Sequence, residues 1–184
     1  MRFCISAFAA VLLVLGTSGA AAQTVSPVVE FALEFGGGDV ATLLFEDGDT
    51  QTLTAGQGGT LAGGVLVRPS ANSPVGLRAT LGYKFLLNAS SNADTRITRI
   101  PAEAVALITF GPGIEIAAGP TVHFGTKLSG DDFVEDVDFG TAVGGTVEAG
   151  YKWVALTYTA IRYTTDRGGE VDASSVGASF RYAF

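Results

Sequence analysis

Apolar and polar residues alternate along most of the chain, with the period of two that a β-strand with two different faces produces. Residues 75–87 give the clearest example. One face carries Val75, Leu77, Ala79, Leu81, Tyr83 and Phe85. The other face includes Arg78 and Lys84, and neither charge interrupts the alternation. Similar alternation predicts eight strands, within residues 27–35, 59–69, 75–87, 99–110, 113–124, 139–151, 153–163 and 175–184.

The links between these strands alternate in length. Short links follow the second, fourth and sixth strands, and longer polar links follow the others, at residues 36–58, 88–95, 126–138 and 164–172. This arrangement is typical of an all-β, transmembrane, up-and-down antiparallel barrel with short turns at one end and long loops at the other. Residues 36–58 read as a hairpin about Asp47-Gly48 that rises outside the membrane. If its arms do span, the barrel has ten strands rather than eight.

Aromatic residues fall at two heights if both termini and the short turns lie at the periplasmic end. The rim at that end is predicted to carry Phe110, Tyr151, Trp153, Tyr182 and Phe184, and the other rim Tyr83, Phe85, Phe124, Phe139 and Tyr163. Two aromatic girdles that flank an aliphatic band are typical of a lipid-facing wall. Both faces of residues 153–163 are apolar, and the shared parity of Trp153 and Tyr163 is used to choose the outward face.

Charged residues have the opposite parity, which predicts that they point inward. The acidic set is Glu30, Glu34, Glu103, Glu115 and Glu148, and the basic set is Arg68, Arg78, Lys84, Arg99, Arg162 and Arg181. Side chains fill the interior of an eight-stranded barrel, and charges survive there when they are paired. We therefore predict an ion-paired, plugged lumen without a wide channel. The alternative is that these charges form the solvated face of a soluble sandwich.

The first 22 residues read as a secretory signal peptide. Arg2 precedes an apolar run from Phe8 to Leu15, and Ala20-Ala21-Ala22 fits a cleavage site before Gln23. We expect residues 23–184 to form one barrel domain, without cysteine, because Cys4 lies in the part removed. The net charge of the 184-residue chain is −7, which disfavours nucleic acid as a partner.

The alternating last strand, with Phe180, Tyr182 and terminal Phe184, resembles the insertion signal of bacterial outer-membrane barrels. Residues 23–184 as a whole resemble the small OmpA/OmpX-type eight-stranded barrels. This resemblance implies location in the outer membrane and recognition by the barrel-assembly machinery. It also implies contact with outer-membrane lipid and lipopolysaccharide, and a monomeric state.

Three features could carry chemistry, and we interpret each of them as structural. His123 is the single histidine, with inward parity. Some related barrels are lipid A deacylases with a nearby serine, but here position 125 is glycine. An acidic loop lacks the spacing of an EF-hand, and its members are Asp131, Asp132, Glu135, Asp136 and Asp138. The glycine-rich residues 35–39 and 58–64 lack the Lys-Ser/Thr of a phosphate loop.

We therefore predict no catalytic, cofactor or metal site. The leading hypothesis is an outer-membrane barrel with a structural or surface-interaction role, supporting envelope integrity or binding an external partner through its loops. The alternatives are a narrow pore or conduit for hydrophobic compounds, a lipid-modifying barrel enzyme, and a soluble secreted barrel with a ligand cavity.

Overall fold

Thirteen β-strands make up the regular structure of the described residues. The computed structural model describes residues 23–44, 50–90, 93–130, 136–165 and 168–184, so the predicted signal peptide lies outside it. The strands are β1 Thr24–Phe35, β2 Asp39–Leu44, β3 Thr50–Thr54, β4 Gly58–Arg68, β5 Val75–Ser90, β6 Ala93–Phe110, β7 Ile114–Gly130, β8 Val137–Phe139, β9 Ala142–Tyr151, β10 Val154–Ala160, β11 Arg162–Thr164, β12 Glu170–Asp172 and β13 Ser175–Ala183. None of the described residues lies in a helix that could cross a membrane.

Eight of these strands form a closed antiparallel barrel. Their order around the wall is β6-β5-β4-β1-β13-β10-β9-β7, and pairing of β6 with β7 completes the ring. The first strand meets the last over eight residue pairs, from Val28 opposite Ala183 to Phe35 opposite Val176. The predicted eight-stranded, up-and-down barrel is therefore confirmed.

The hairpin in residues 36–58 does not enter the wall. Its arms β2 and β3 pair only with each other, as do β11 and β12 at the same end of the barrel. The ten-strand alternative is therefore wrong. The predicted loop at 88–95 is largely strand instead, because β5 continues to Ser90 and β6 begins at Ala93. β7 stays paired with β6 out to Gly130, so β5, β6 and β7 are the longest strands of the barrel.

A tightly curved wall brings neighbouring backbones close together. At Gly119 in β7, an added Cβ would overlap the carbonyl oxygen of Ala104 in β6. Further along β7, Gly125 has a φ of 55° and forms a bulge opposite Thr98–Ile100. A bulge inserts one residue and so reverses which side of the strand faces in. Before the bulge the even-numbered Phe124 points outward, and beyond it the odd-numbered Lys127 does so.

The exposed and buried faces are reversed relative to a water-soluble protein. Large apolar side chains cover the outside of every barrel strand, with Leu81 59% and Leu156 66% exposed. Arg78, Lys84 and Arg99 are buried inside. Soluble proteins rarely expose an apolar surface this continuous, whereas the hydrocarbon core of a bilayer demands one. The parity predicted for residues 75–85 is the one observed.

Two aromatic residues assigned to the outer girdles lie inside instead. Phe139 and Tyr163 pack with Ile97, Leu128 and Ile161 in a buried cluster at the long-loop end. Phe139 lies in β8, which Gly140–Thr141 separates from β9. The alternation of inward and outward side chains in β9 therefore does not continue to Phe139. The outward face predicted for Tyr163 was chosen because it shares the parity of Trp153. Trp153 lies in the turn before β10, where strand alternation does not apply.

The same error reversed the prediction for Arg162. Its side chain is 75% exposed, outside the lumen, and its Nη1 lies 3.9 Å from Glu170 Oε2. Leu156 and Tyr158 face outward, and Arg162 faces outward too because it has the same even parity. Arg162 is therefore removed from the set of lumen charges.

Candidate functional site

Two clusters of charged side chains occupy the barrel lumen, one above the other. The periplasmic cluster lies in the half of the barrel with the short turns. It contains Arg68, Arg78, Arg181, Glu30, Glu103, Glu115 and Glu148. The extracellular cluster lies in the half with the long loops and contains Glu34, Lys84 and Arg99. Both names follow the predicted orientation, in which the short turns lie at the periplasmic end.

Arg181 links the strands of the periplasmic cluster. Register places it directly opposite Glu30 across the β1–β13 seam, and its Nε donates to Glu30 Oε2 at 3.0 Å. Its two Nη atoms donate to Glu115 at 3.1 Å and to Glu148 at 2.7 Å. One guanidinium thus joins carboxylates from three strands, a geometry that the five donors of arginine permit.

Arg78 and Glu148 form the closest pair of this cluster. Arg78 Nη2 lies 2.6 Å from Glu148 Oε2 and 3.4 Å from Glu103 Oε1. Arg68 extends the network toward the short turns, with Nη2 3.6 Å from Glu115 Oε2 and Nη1 donating to the carbonyl of Ser73 at 2.9 Å. The whole periplasmic cluster is therefore one connected network.

In the extracellular cluster, two cations face each other across neighbouring strands. Lys84 in β5 is paired in register with Arg99 in β6. Like charges directly opposite are destabilising, so each cation needs its own acceptors. Lys84 Nζ contacts Glu34 Oε2 at 2.7 Å and donates to the Gly56 carbonyl at 2.9 Å. Glu34 also accepts from Ser175 Oγ at 2.8 Å.

Arg99 binds backbone rather than a carboxylate. Its guanidinium donates to the carbonyls of Ala55 at 2.7 Å, Gly56 at 3.2 Å and Gln57 at 2.9 Å. These three residues connect β3 to β4 and lie across the extracellular mouth. We call residues 55–57 the mouth segment. With the apolar cluster around Phe139 and Tyr163, it covers that end of the lumen.

The mouth segment was not predicted from the sequence, although one signal for it exists. An added Cβ at Gly56 would lie 2.6 Å from the Ser174 carbonyl and 2.7 Å from the Gly36 carbonyl. This glycine, between Ala55 and Gln57, therefore marks the place where three backbone segments converge. Sequence alone gives no means of distinguishing this glycine from one that serves only a turn.

His123 faces the lumen next to the extracellular cluster. Its Nδ1 lies 2.6 Å from the hydroxyl of Tyr163, and Arg99 lies over the Tyr163 ring at 5.7 Å. The structure thus places Tyr163 in contact with both His123 and Arg99. The arrangement is a buried polar contact in the wall of the barrel interior.

Most of the remaining girdle residues lie on the outside, at two ends. Phe110, Tyr151, Trp153, Tyr182 and Phe184 are exposed near the short turns, and Tyr83 and Phe124 are exposed toward the other rim. The Tyr83 and Phe85 rings stack at 6.1 Å. Phe35, at the extracellular end of β1, is an exposed aromatic residue that the girdle assignment omitted.

The C-terminal residues form part of the closing seam. Trp153 stacks on Phe180 at 5.8 Å, and Tyr182 meets Phe184 edge-on at 5.0 Å. The amide of Phe184 donates to the carbonyl of Pro27 at 3.0 Å. The chain is therefore hydrogen-bonded to β1 up to its last residue.

The candidate metal and phosphate sites gain no geometric support. Asp131, Asp132 and Glu135 lie outside the described residues, and Asp136 lies 3.6 Å from Lys127. Within the described part of the chain, no group of three or more metal-ligating side chains is placed to hold an ion. Residues 58–64 lie in β4 rather than in a loop.

The fold is that of the small eight-stranded outer-membrane barrels. This assignment rests on the closed strand pairing and the reversed faces alone. The solved structures that are similar to the chain include two of the same protein. One is Ail, the attachment invasion locus protein of Yersinia pestis, with 11% sequence identity and a TM-score of 0.44; the match covers 87% of this chain and 98% of that chain. The other is Ail in complex with the heparin analogue sucrose octasulfate, with 15% identity, a TM-score of 0.42 and the same coverage. No family model and no curated protein matches the sequence.

Proposed function

We propose that this protein is an integral outer-membrane barrel with a plugged lumen, whose role is structural or surface-interacting. The observation that carries the proposal is the reversal of faces: aliphatic and aromatic side chains cover the outer wall, and ion pairs fill the interior. An open sheet edge is not tolerated in hydrocarbon, and the β1–β13 seam leaves none.

The proposal includes the route to the membrane. Residues 1–22 direct export and are removed, and the barrel-assembly machinery recognises the strand that ends in Phe180, Tyr182 and Phe184. The mature barrel is a monomer that contacts lipid and lipopolysaccharide. Any specific partner binds at the long loops, because loops on a rigid scaffold usually carry specificity. Enzymatic activity forms no part of this role.

Heat-modifiability of the protein in purified outer membranes tests the location. A folded barrel migrates differently on a gel before and after boiling, and we expect such a shift in the outer-membrane fraction. Recovery of the mature chain as a detergent-free monomer in the periplasmic extract would contradict the proposal and favour a soluble secreted barrel.

A matched pair of variants tests the role of the terminal aromatic residue. Phe184 and Phe35 are 67% and 64% exposed, at opposite ends of the wall. We expect Phe184→Ser to reduce the amount of assembled, heat-modifiable protein several-fold, and Phe35→Ser to leave it near the wild-type level. Equal losses in both variants would indicate a general need for apolar surface and not a C-terminal signal.

Single-channel recording separates a plugged barrel from a pore. The mouth segment and the ion pairs support a closed lumen, so we expect no steady conductance from the purified protein in a planar bilayer. Steady, reproducible conductance would favour the pore instead. The same preparation should shift on heating, which shows that a silent recording comes from folded protein.

A further inference from the structure

A small cavity lies between the two ionic clusters, at the middle of the lumen. Its volume is about 40 Å³, and seven of the eight barrel strands contribute to its wall. Glu103 and Glu148 of the periplasmic cluster line one part, and Glu34 and Lys84 of the extracellular cluster line another. A water molecule needs about 10–15 Å³ by this kind of measure, so there is room for a few.

Two threonine hydroxyls line this cavity without a partner among the described residues. They are Thr60 Oγ1 in β4 and Thr157 Oγ1 in β10. Thr60 is only 7% exposed, so bulk solvent does not satisfy its hydroxyl. Buried hydroxyl groups in native proteins are nearly always hydrogen-bonded, to protein or to ordered water. Because these two hydroxyls also line a cavity with room for water, they indicate a hydrogen-bonding occupant.

The charges around the cavity decide between water and an ion. The periplasmic cluster has three arginines against four glutamates, and the extracellular cluster has Lys84 and Arg99 against Glu34. One cluster is therefore negative by one charge and the other positive by one charge, and together they are neutral. A neutral lumen needs no counterion, whereas a neutral dipolar molecule can hydrogen-bond to both clusters.

We propose that this cavity is a binding site for a small cluster of water molecules, held by the hydroxyls of Thr60 and Thr157 and by the carboxylates around them. The bound water links the periplasmic and extracellular clusters into one hydrogen-bonded network. The site does not depend on the surrounding medium, so it can be tested in whichever bilayer, detergent or buffer the folded protein occupies.

Threonine-to-valine substitutions test the site, because valine keeps the shape of threonine and removes only its hydrogen-bonding group. Thr146 provides the matched control: its Oγ1 is also buried without a partner among the described residues, but it does not line the cavity. We expect Thr60→Val and Thr157→Val each to raise the unfolding equilibrium constant about two- to tenfold in urea titrations, the usual effect of a lost hydrogen bond. Thr146→Val should leave that constant unchanged or lower it.

If Thr60→Val and Thr157→Val are no more destabilising than Thr146→Val, the proposal is overturned. NMR of the threonine methyl groups gives a direct readout. We expect magnetisation transfer from water to the methyl groups of Thr60 and Thr157, and weaker or no transfer to that of Thr146. A third arm replaces sodium chloride by choline chloride at constant ionic strength. Stability that depends on sodium would identify a cation as the occupant and would also overturn the proposal.

Discussion

At the scale of single residues, Lys152 has a backbone conformation that its side chain disfavours. It is the first residue of the two-residue turn between β9 and β10 and has a φ of 56°, the one positive φ of a non-glycine residue in the described chain. Hairpins of this length favour glycine, asparagine or aspartate at such positions. The amide of Lys152 donates to the Gly113 carbonyl of the neighbouring turn at 2.8 Å, which holds the conformation in place.

We predict that Lys152→Gly stabilises the barrel by about 1 kcal/mol, because glycine adopts a positive φ without a steric penalty. Urea titration of the folded protein in lipid vesicles measures the change. Lys127→Gly is the control: Lys127 is an exposed residue of β7 without a positive φ, where glycine should be neutral or destabilising. Equal effects at the two positions would contradict the explanation from backbone conformation.

Glu34 is the single carboxylate of the extracellular cluster. Removing its charge leaves Lys84 and Arg99 buried without an anion, and breaking a buried ion pair in this way costs about 3–5 kcal/mol. We predict that Glu34→Gln lowers the free energy of unfolding by roughly that amount. Glu170→Gln should change it by less than about 1 kcal/mol, since the Arg162–Glu170 pair is exposed. A small effect at Glu34 would mean that the carbonyls of the mouth segment suffice to hold the cations.

At the scale of structural elements, the mouth segment is fixed from two sides. Arg99 binds its carbonyls, and its own amides are used as well: Ala55 donates to the Gly38 carbonyl at 2.9 Å and Gly56 to the Gly36 carbonyl at 3.0 Å. The β2–β3 hairpin is therefore attached to the barrel through this short stretch. Hydrogen exchange at these two amides reports directly whether the attachment is intact.

We predict that Arg99→Met opens the mouth segment, because methionine keeps the apolar stem and loses the hydrogen bonds. A hydrogen bond to a charged group contributes about 1.5–3 kcal/mol, which corresponds to a roughly ten- to hundredfold faster exchange of the Ala55 and Gly56 amides. Arg162→Met, at an exposed arginine, should leave both exchange rates unchanged. Unchanged exchange in Arg99→Met would show that the amide partners alone hold the segment.

Within a continuous strand, the sequence was sufficient to predict which side chains face inward. Alternation is a consequence of backbone geometry, so the faces of residues 75–85 follow from one correct assignment. Prediction failed where that continuity ends. Trp153 lies in a turn, and Gly140–Thr141 separates two strands; residues beyond each break were assigned to the wrong face.

The sequence also did not allow the partners of the lumen charges to be predicted. That Glu30 meets Arg181 depends on the register between the first and last strands, which lie far apart in sequence. That Lys84 faces Arg99 depends on the register of the β5–β6 hairpin, which the sequence does not fix. The mouth segment depends in addition on the path of a loop. The sequence therefore predicts which charges enter the lumen better than it predicts what they bind.

At the scale of the whole molecule, the reversed faces make a prediction that distinguishes a membrane barrel from a soluble one. Leu81 lies outward in the middle of the apolar part of β5, and Val75 lies outward at the periplasmic end of the same strand. In water, arginine at either exposed position would change stability by only about 0.5 kcal/mol. In a bilayer the cost depends on depth.

We predict that Leu81→Arg destabilises the barrel in lipid vesicles by about 2–4 kcal/mol, because it places a guanidinium near the bilayer midplane. Val75→Arg should cost at most about 1 kcal/mol, because the rim lies near the headgroups. Urea titration in vesicles measures both values, and the same titration in detergent micelles shows whether the difference needs a bilayer. Equal, small effects at the two positions would mean that this wall does not contact hydrocarbon.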